Sequence, residues 1–166
     1  MGKHSRHRTD SVYRMWSNIK ARCGNEYGCD PTYGTVSLCD EWQDFDTFAD
    51  WAKPRMGDGL HLDKDLLGDG SLYSPATCCF ISRQTNNSLK LGKGYKAQHS
   101  NGRLQVSMKI FGKDRAFGTY DTEAEARSVY MKVKASILRY LAPQEGNLLV
   151  MAALLTQADE WETMYV

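Results

Sequence analysis

A chain of 166 residues, 42% hydrophobic and 25% charged, has the balance of a folded protein and the length of one ordinary domain or two very small ones. It contains no run of about 18 apolar residues, and its opening MGKHSRHRTD lacks the apolar stretch of a signal peptide, so no membrane partner and an intracellular, cytoplasmic location are expected. The net charge of +1 conceals segregation: residues 1–22 carry +5, 23–75 carry −8, 76–113 carry +7 without a single acid, and 146–166 carry −3.

A near-neutral total therefore does not exclude nucleic acid, because phosphates answer to a local basic surface. The odd number of cysteines (Cys23, Cys29, Cys39, Cys78, Cys79) argues against a disulfide framework and leaves thiols or metal ligands.

The first periodic segment is Val12, Met15, Trp16 and Ile19, an amphipathic helix behind a basic tail, with Thr9, Asp10 or Ser11 available as its cap. Residues 23–36 are rich in Gly, Asn, Asp and Pro and predict a loop. A second helix is expected over about 41–52, its core face formed by Trp42, Phe45, Phe48 and Trp51. After a Gly- and Asp-rich stretch, residues 78–82 read as a short strand and 88–94 as a linker, which places a module boundary near 91.

From Tyr95 onward the period changes to two. Leu104, Val106, Met108 and Ile110 alternate with Arg103, Gln105, Ser107 and Lys109, as a strand with one buried and one wet face requires. Asn101-Gly102 marks a hairpin before that strand, and Gly112-Lys113-Asp114 a second turn into Arg115–Tyr120, giving a three-stranded meander. Thr122 and Glu125 form a capping box that starts a helix, whose apolar positions Ala126, Val129, Tyr130, Val133, Ile137, Leu138 and Leu141 continue until Pro143 stops it. Leu148–Leu155 is an apolar run inside a last helix of about 147–162, a surface for one of the modules or for a second copy of the chain as a homodimer.

The fold expected is α+β: a small N-terminal module (1–91), a three-stranded antiparallel sheet packed on one helix (92–145), and a C-terminal helix (146–166). The sheet's outer face offers Arg103, Gln105, Ser107 and Lys109, joined by Lys96, Lys113 and Arg115. Such residues pair with phosphates or read base edges in the major groove of double-stranded DNA.

The stretch from Gly94 to Tyr130 resembles the apetala-two/ethylene-response-factor type of DNA-binding domain, on Phe117-Gly118-Thr119-Tyr120-Asp121-Thr122 and Glu125-Ala126…Tyr130. The tryptophan common on the second strand of that family is Leu104 here. The segment from Met15 to Asn87 resembles phage and bacterial HNH-like (His-Me finger) endonucleases of ββα-metal type. The matching residues are Trp16, Arg22-Cys23, Tyr33, Val36, Cys39, Trp42, Phe45, Phe48, Leu62-Asp63-Lys64, Tyr73, Pro75, Cys78, Gln84 and Asn87.

The resemblance implies a phage-type, metal-dependent endonuclease, homing enzymes among its kind, acting in the cytoplasm of an infected bacterium. It places Asp63 and Asn87 on a divalent cation, usually Mg²⁺, puts Lys64 where the general-base histidine belongs, and puts Thr77 near the orienting asparagine. A protonated lysine clamps a phosphate but is a poor base at pH 7. His61, two residues earlier on the same strand face as Asp63, is the alternative base. Structural Zn²⁺ on Cys23, Cys39 and Cys78 stands beside a reading of these cysteines as buried thiols. The competing function is a non-catalytic DNA-binding protein that keeps the HNH-like scaffold.

Overall fold

The computed structural model describes residues 10–23, 36–98 and 102–164, so Cys29, Tyr33 and Asn101 lie outside the described residues. The architecture is α+β, and the chain divides into two units, Met1–Phe80 and Ile81–Val166. That division falls ahead of the 88–94 stretch, so residues 81–91 belong to the second unit.

The first unit is built on aromatic packing. Helix α1 (Ser11–Cys23) begins where the Asp10 carboxylate accepts the Val12 amide at 2.9 Å, and it buries Val12, Trp16 and Ile19. Helix α2 (Phe45–Ala52) starts four residues later than the aromatic spacing predicts. Asp44 caps it by accepting the Thr47 amide, and residues 40–43 form a separate 3-10 turn.

Trp16 donates its indole N–H to the Trp42 carbonyl at 2.7 Å, and Trp42 meets Phe48 edge to face with centroids 5.0 Å apart. Strand β1 (Ser37–Leu38) pairs parallel with β3 (Leu72–Tyr73). A second two-stranded ladder joins β2 (Leu60–Asp63) to β4 (Cys79–Ser82).

In the second unit, helix α3 (Arg83–Leu89) is capped by Ser82, and strands β5 (Tyr95–Ala97), β6 (Leu104–Ile110) and β7 (Lys113–Tyr120) form the antiparallel sheet in that order. Helix α4 (Glu123–Leu141) opens on the predicted capping box between Thr122 and Glu125. It serves two partners. Ala126 and Tyr130 belong to the spacing expected to face the sheet. Met131, Ala135 and Leu138 are also buried, on the helix that packs with α5 (Leu148–Thr163). Arg139 ties α4 to α5 by donating to Asp159 at 2.7 Å and to Glu162 at 2.5 Å.

The β6–β7 register slips between Gln105 and Ser107, because β7 carries one extra residue there. This bulge sits at Gly118, whose φ of 113° excludes other residues, and a Cβ there would lie 2.7 Å from the Tyr120 hydroxyl. The glycine of the Phe-Gly-Thr-Tyr motif is thus a requirement of the bulge.

The 88–94 stretch, predicted to be a linker, is strapped to α4 along its length. Lys134 donates to the Ser88 and Lys90 carbonyls, and the Gly92 amide donates to the Tyr130 hydroxyl at 3.0 Å. Arg127 donates to the Gly92 and Lys93 carbonyls. Beyond the end of α3 at Leu89 the segment has no ladder of its own before β5, and side chains of α4 satisfy its backbone. Gly94 completes the strap: the Tyr130 ring packs so closely that a Cβ would fall 2.3 Å from it.

Candidate nucleic-acid interface

Residues paired directly across an antiparallel ladder share a face, so the register assigns each side chain to one side of the sheet. Val106 is fully buried, and Met108 and Ile110 are half-buried, whereas Ser107 and Lys109 are exposed. The alternation expected along β6 therefore holds from Val106 to Ile110, while Leu104 and Gln105 are both half-buried. Lys96 pairs with Gln105 and Gln105 with Thr119, which forms one row across the sheet. Ser107 pairs with Ala116, and Lys109 with Asp114.

Arg103, one residue ahead of β6, donates through Nε to the Asp121 carboxylate at 2.7 Å and through its terminal nitrogen to the Thr119 carbonyl at 3.1 Å. Lys113 and Arg115 stand elsewhere. They pair with Ile110 and Met108, so the register gives them the opposite side from Ser107 and Lys109. Both remain exposed, since they lie at the hairpin end of β7. The hairpin turns on Phe111 and Gly112, one residue earlier than predicted, because both take positive φ and Lys113 already belongs to the strand.

Three residues that the nuclease resemblance singles out, Asp63, Lys64 and Thr77, are engaged in local structure. Asp63 is 8% exposed, and its Oδ1 accepts the amides of Asp65 at 3.0 Å and Leu66 at 2.8 Å. Burial pushes its carboxyl above the ordinary value, against the pull of those amides. Lys64 donates to Asp65 and to the Gly70 carbonyl, both at 2.6 Å, and closes the 63–70 loop. The Thr77 hydroxyl donates to the Leu72 carbonyl at 2.7 Å and lies 3.0 Å from the Ser74 hydroxyl, which holds the 72–78 turn.

His61 is exposed and, with Arg22 and Asn18, borders a cleft of about 210 Å³ in the first unit. Asn87 is an exposed residue of α3 in the second unit.

Mg²⁺ is bound through one or two carboxylates and waters, and at buried Asp63 one carboxylate oxygen, Oδ1, is given to two backbone amides. Among the described residues no three His, Cys, Asp or Glu side chains assemble for a metal ion. Cys23, Cys39 and Cys78 thus form no three-ligand cluster there, and Asp63 and Asn87, the pair the resemblance gives to a divalent cation, belong to different units. Cys78 is buried in the aromatic core, where burial pushes its thiol up to about 11; Cys39 packs against the same core, and burial raises its thiol too. These two behave as small core residues.

Three features escaped the sequence. The Glu145 carboxylate accepts the Ser82 amide at 2.9 Å, the Ser82 hydroxyl at 2.8 Å and the Thr85 hydroxyl, and so anchors the start of α3. Lys134 lies buried, 5.5 Å from the Trp161 ring, and burial lowers its ammonium pKa to about 8. A cleft of about 600 Å³ opens among α3, the β6–β7 hairpin and α4. The acid that joins Ser82 and Thr85 lies some sixty residues away in the sequence, beyond the reach of a local signal. Compared with protein families, curated proteins and solved structures, the chain matches none.

Proposed function

We propose that the chain is a double-stranded DNA-binding protein that grips the duplex with the outer face of the β5–β6–β7 sheet. The observation that carries this reading is the row of Lys96, Gln105, Ser107 and Lys109 on the face away from Val106, flanked by Arg103. These residues come from the +7 block that contains no acid. A twisted β-ribbon fits the major groove, lysines neutralise phosphates, and Arg or Gln forks onto base edges. The N-terminal unit serves as an HNH-like scaffold.

The test is a gel shift of the full chain on a mixed-sequence duplex. Affinity falls with salt at a log–log slope of roughly −0.9 per phosphate contacted. Binding that is absent, or indifferent to salt, overturns the reading.

A second reading, endonuclease activity, draws on the cleft that brings exposed His61 beside Arg22. An imidazole can take a proton from water while a guanidinium clamps a phosphate. Nicking of supercoiled plasmid that requires Mg²⁺ or Mn²⁺ and is abolished by His61→Ala establishes it. Intact plasmid across both metals leaves the non-catalytic reading.

A further inference from the structure

Phe111 has a φ of 49° at the first position of the β6–β7 turn. Two-residue turns with positive φ at both positions favour Asn, Asp or Gly there, and a bulky aromatic is an outlier. Burial does not explain the choice, because Phe111 remains 50% exposed and its ring neighbour Tyr140, 5.4 Å away, is 59% exposed. Residues held in disfavoured backbone regions cluster where a protein meets a ligand.

Beside Phe111 lies the cleft of about 600 Å³, within the roughly 300–1,000 Å³ of small-ligand sites. Met108, Ile110 and Ile137 supply its apolar part. Gln84 and Asn87 bring two side-chain amides from α3. Arg83 and Lys134 contribute positive charge, and the lining contains no carboxylate. A flat apolar body with hydrogen-bonding edges and an attached anion complements such a cleft, and a nucleotide is that body.

We propose that this cleft takes one unpaired DNA base, stacked on Phe111, with Gln84 and Asn87 at its edge and Arg83 on its phosphate. The proposal rests on the DNA-binding reading and adds a second contact to it, away from the row formed by Gln105 and Ser107. Stacking on an aromatic ring is indifferent to base identity, whereas the amides favour one base edge over another.

The experiment titrates the full chain with three fluorescent DNAs: a blunt duplex, the same duplex with a single bulged thymine, and oligo-dT. The bulged duplex binds about tenfold tighter than the blunt one, the scale that base–aromatic stacking supplies. Phe111→Asn removes that preference and leaves blunt-duplex affinity unchanged. Asparagine suits positive φ, so the melting temperature of this variant is at least that of the parent.

Equal affinity for bulged and blunt duplexes overturns the cleft proposal and leaves the duplex reading standing. Binding of oligo-dT and the bulge without the blunt duplex supports the cleft and overturns the sheet-face reading. Absence of all binding overturns both. Loss of blunt and bulged binding together in Phe111→Asn also overturns the cleft, because the hairpin then serves the duplex alone.

Discussion

The Arg103 guanidinium is already engaged: its Nε lies 2.7 Å from Asp121 Oδ1, with the arginine side chain 45% and the aspartate side chain 74% exposed. A solvent-screened pair of this kind contributes about 0–1 kcal/mol to stability, so its importance lies in what it withholds from DNA. Asp121→Asn releases the fork and strengthens duplex binding at low salt. Arg103→Ala weakens discrimination between sites by about 1–3 kcal/mol if the fork reads a guanine. Both variants melt within a few degrees of the parent, and binding titrations beside thermal melts check the pair.

Val106 and Lys109 test the faces of β6. Val106 is fully buried, so Val106→Asp places a charge in the sheet–helix core and destabilises the second unit by several kcal/mol. Lys109→Ala leaves folding unchanged and lowers the salt slope of DNA binding by about one. Urea unfolding followed by circular dichroism reads the first, and the gel shift reads the second. The reverse pattern would mean a strand slipped by one residue.

Lys134 makes stability depend on pH in a direction unusual for a lysine. Burial lowers its pKa from 10.5 to about 8, so between these values the unfolded chain holds the proton more tightly than the folded one. Stability therefore rises as pH increases from about 8 toward 10.5 and is lost as pH falls through 8, with on the order of 3 kcal/mol separating the ends of the window. Lys134→Met flattens this dependence. Urea midpoints of both proteins at several pH values between 7.5 and 10 measure the difference, which cancels other groups titrating in that range.

Glu145 holds the first turn of α3 through three hydrogen bonds from Ser82 and Thr85. Hydrogen bonds to a charged acceptor are worth about 1.5–3 kcal/mol, and Glu145→Ala strands several donors at once. The second unit then loses about 2–4 kcal/mol, and amides of residues 83–86 exchange with solvent faster than those of α4. Hydrogen exchange resolved by residue distinguishes local fraying from a general loss.

Much of the second unit was legible in the sequence because its signals are local. The β6 alternation, the Thr122–Glu125 box and the stop at Pro143 each lie within a few residues of what they specify. The aromatic spacing before Ala52 located a helix but placed its start too early, since Asp44 competes for the cap. The bulge at Gly118 moved Lys113 and Arg115 to the other face, which strand alternation alone does not reveal. The Asp63 site was the least legible. Residue types suited to a metal also suit a loop that needs its amides capped, and the second role appears only in the partners of Oδ1.

The strap of residues 88–94 along α4 decides where the chain can be cut. A fragment beginning at residue 92, at the boundary the composition suggests, deprives Lys134 of both carbonyls and leaves a buried ammonium with only the Trp161 ring beside it. Ending that fragment at 145 also removes α5, which carries Trp161 and the acids that meet Arg139. A piece that runs from residue 81, where the second unit begins, to 164 retains all of these partners. A dissected version begun at 92 would be soft for reasons unrelated to the DNA-facing strands, and its weak binding would be a symptom of lost folding.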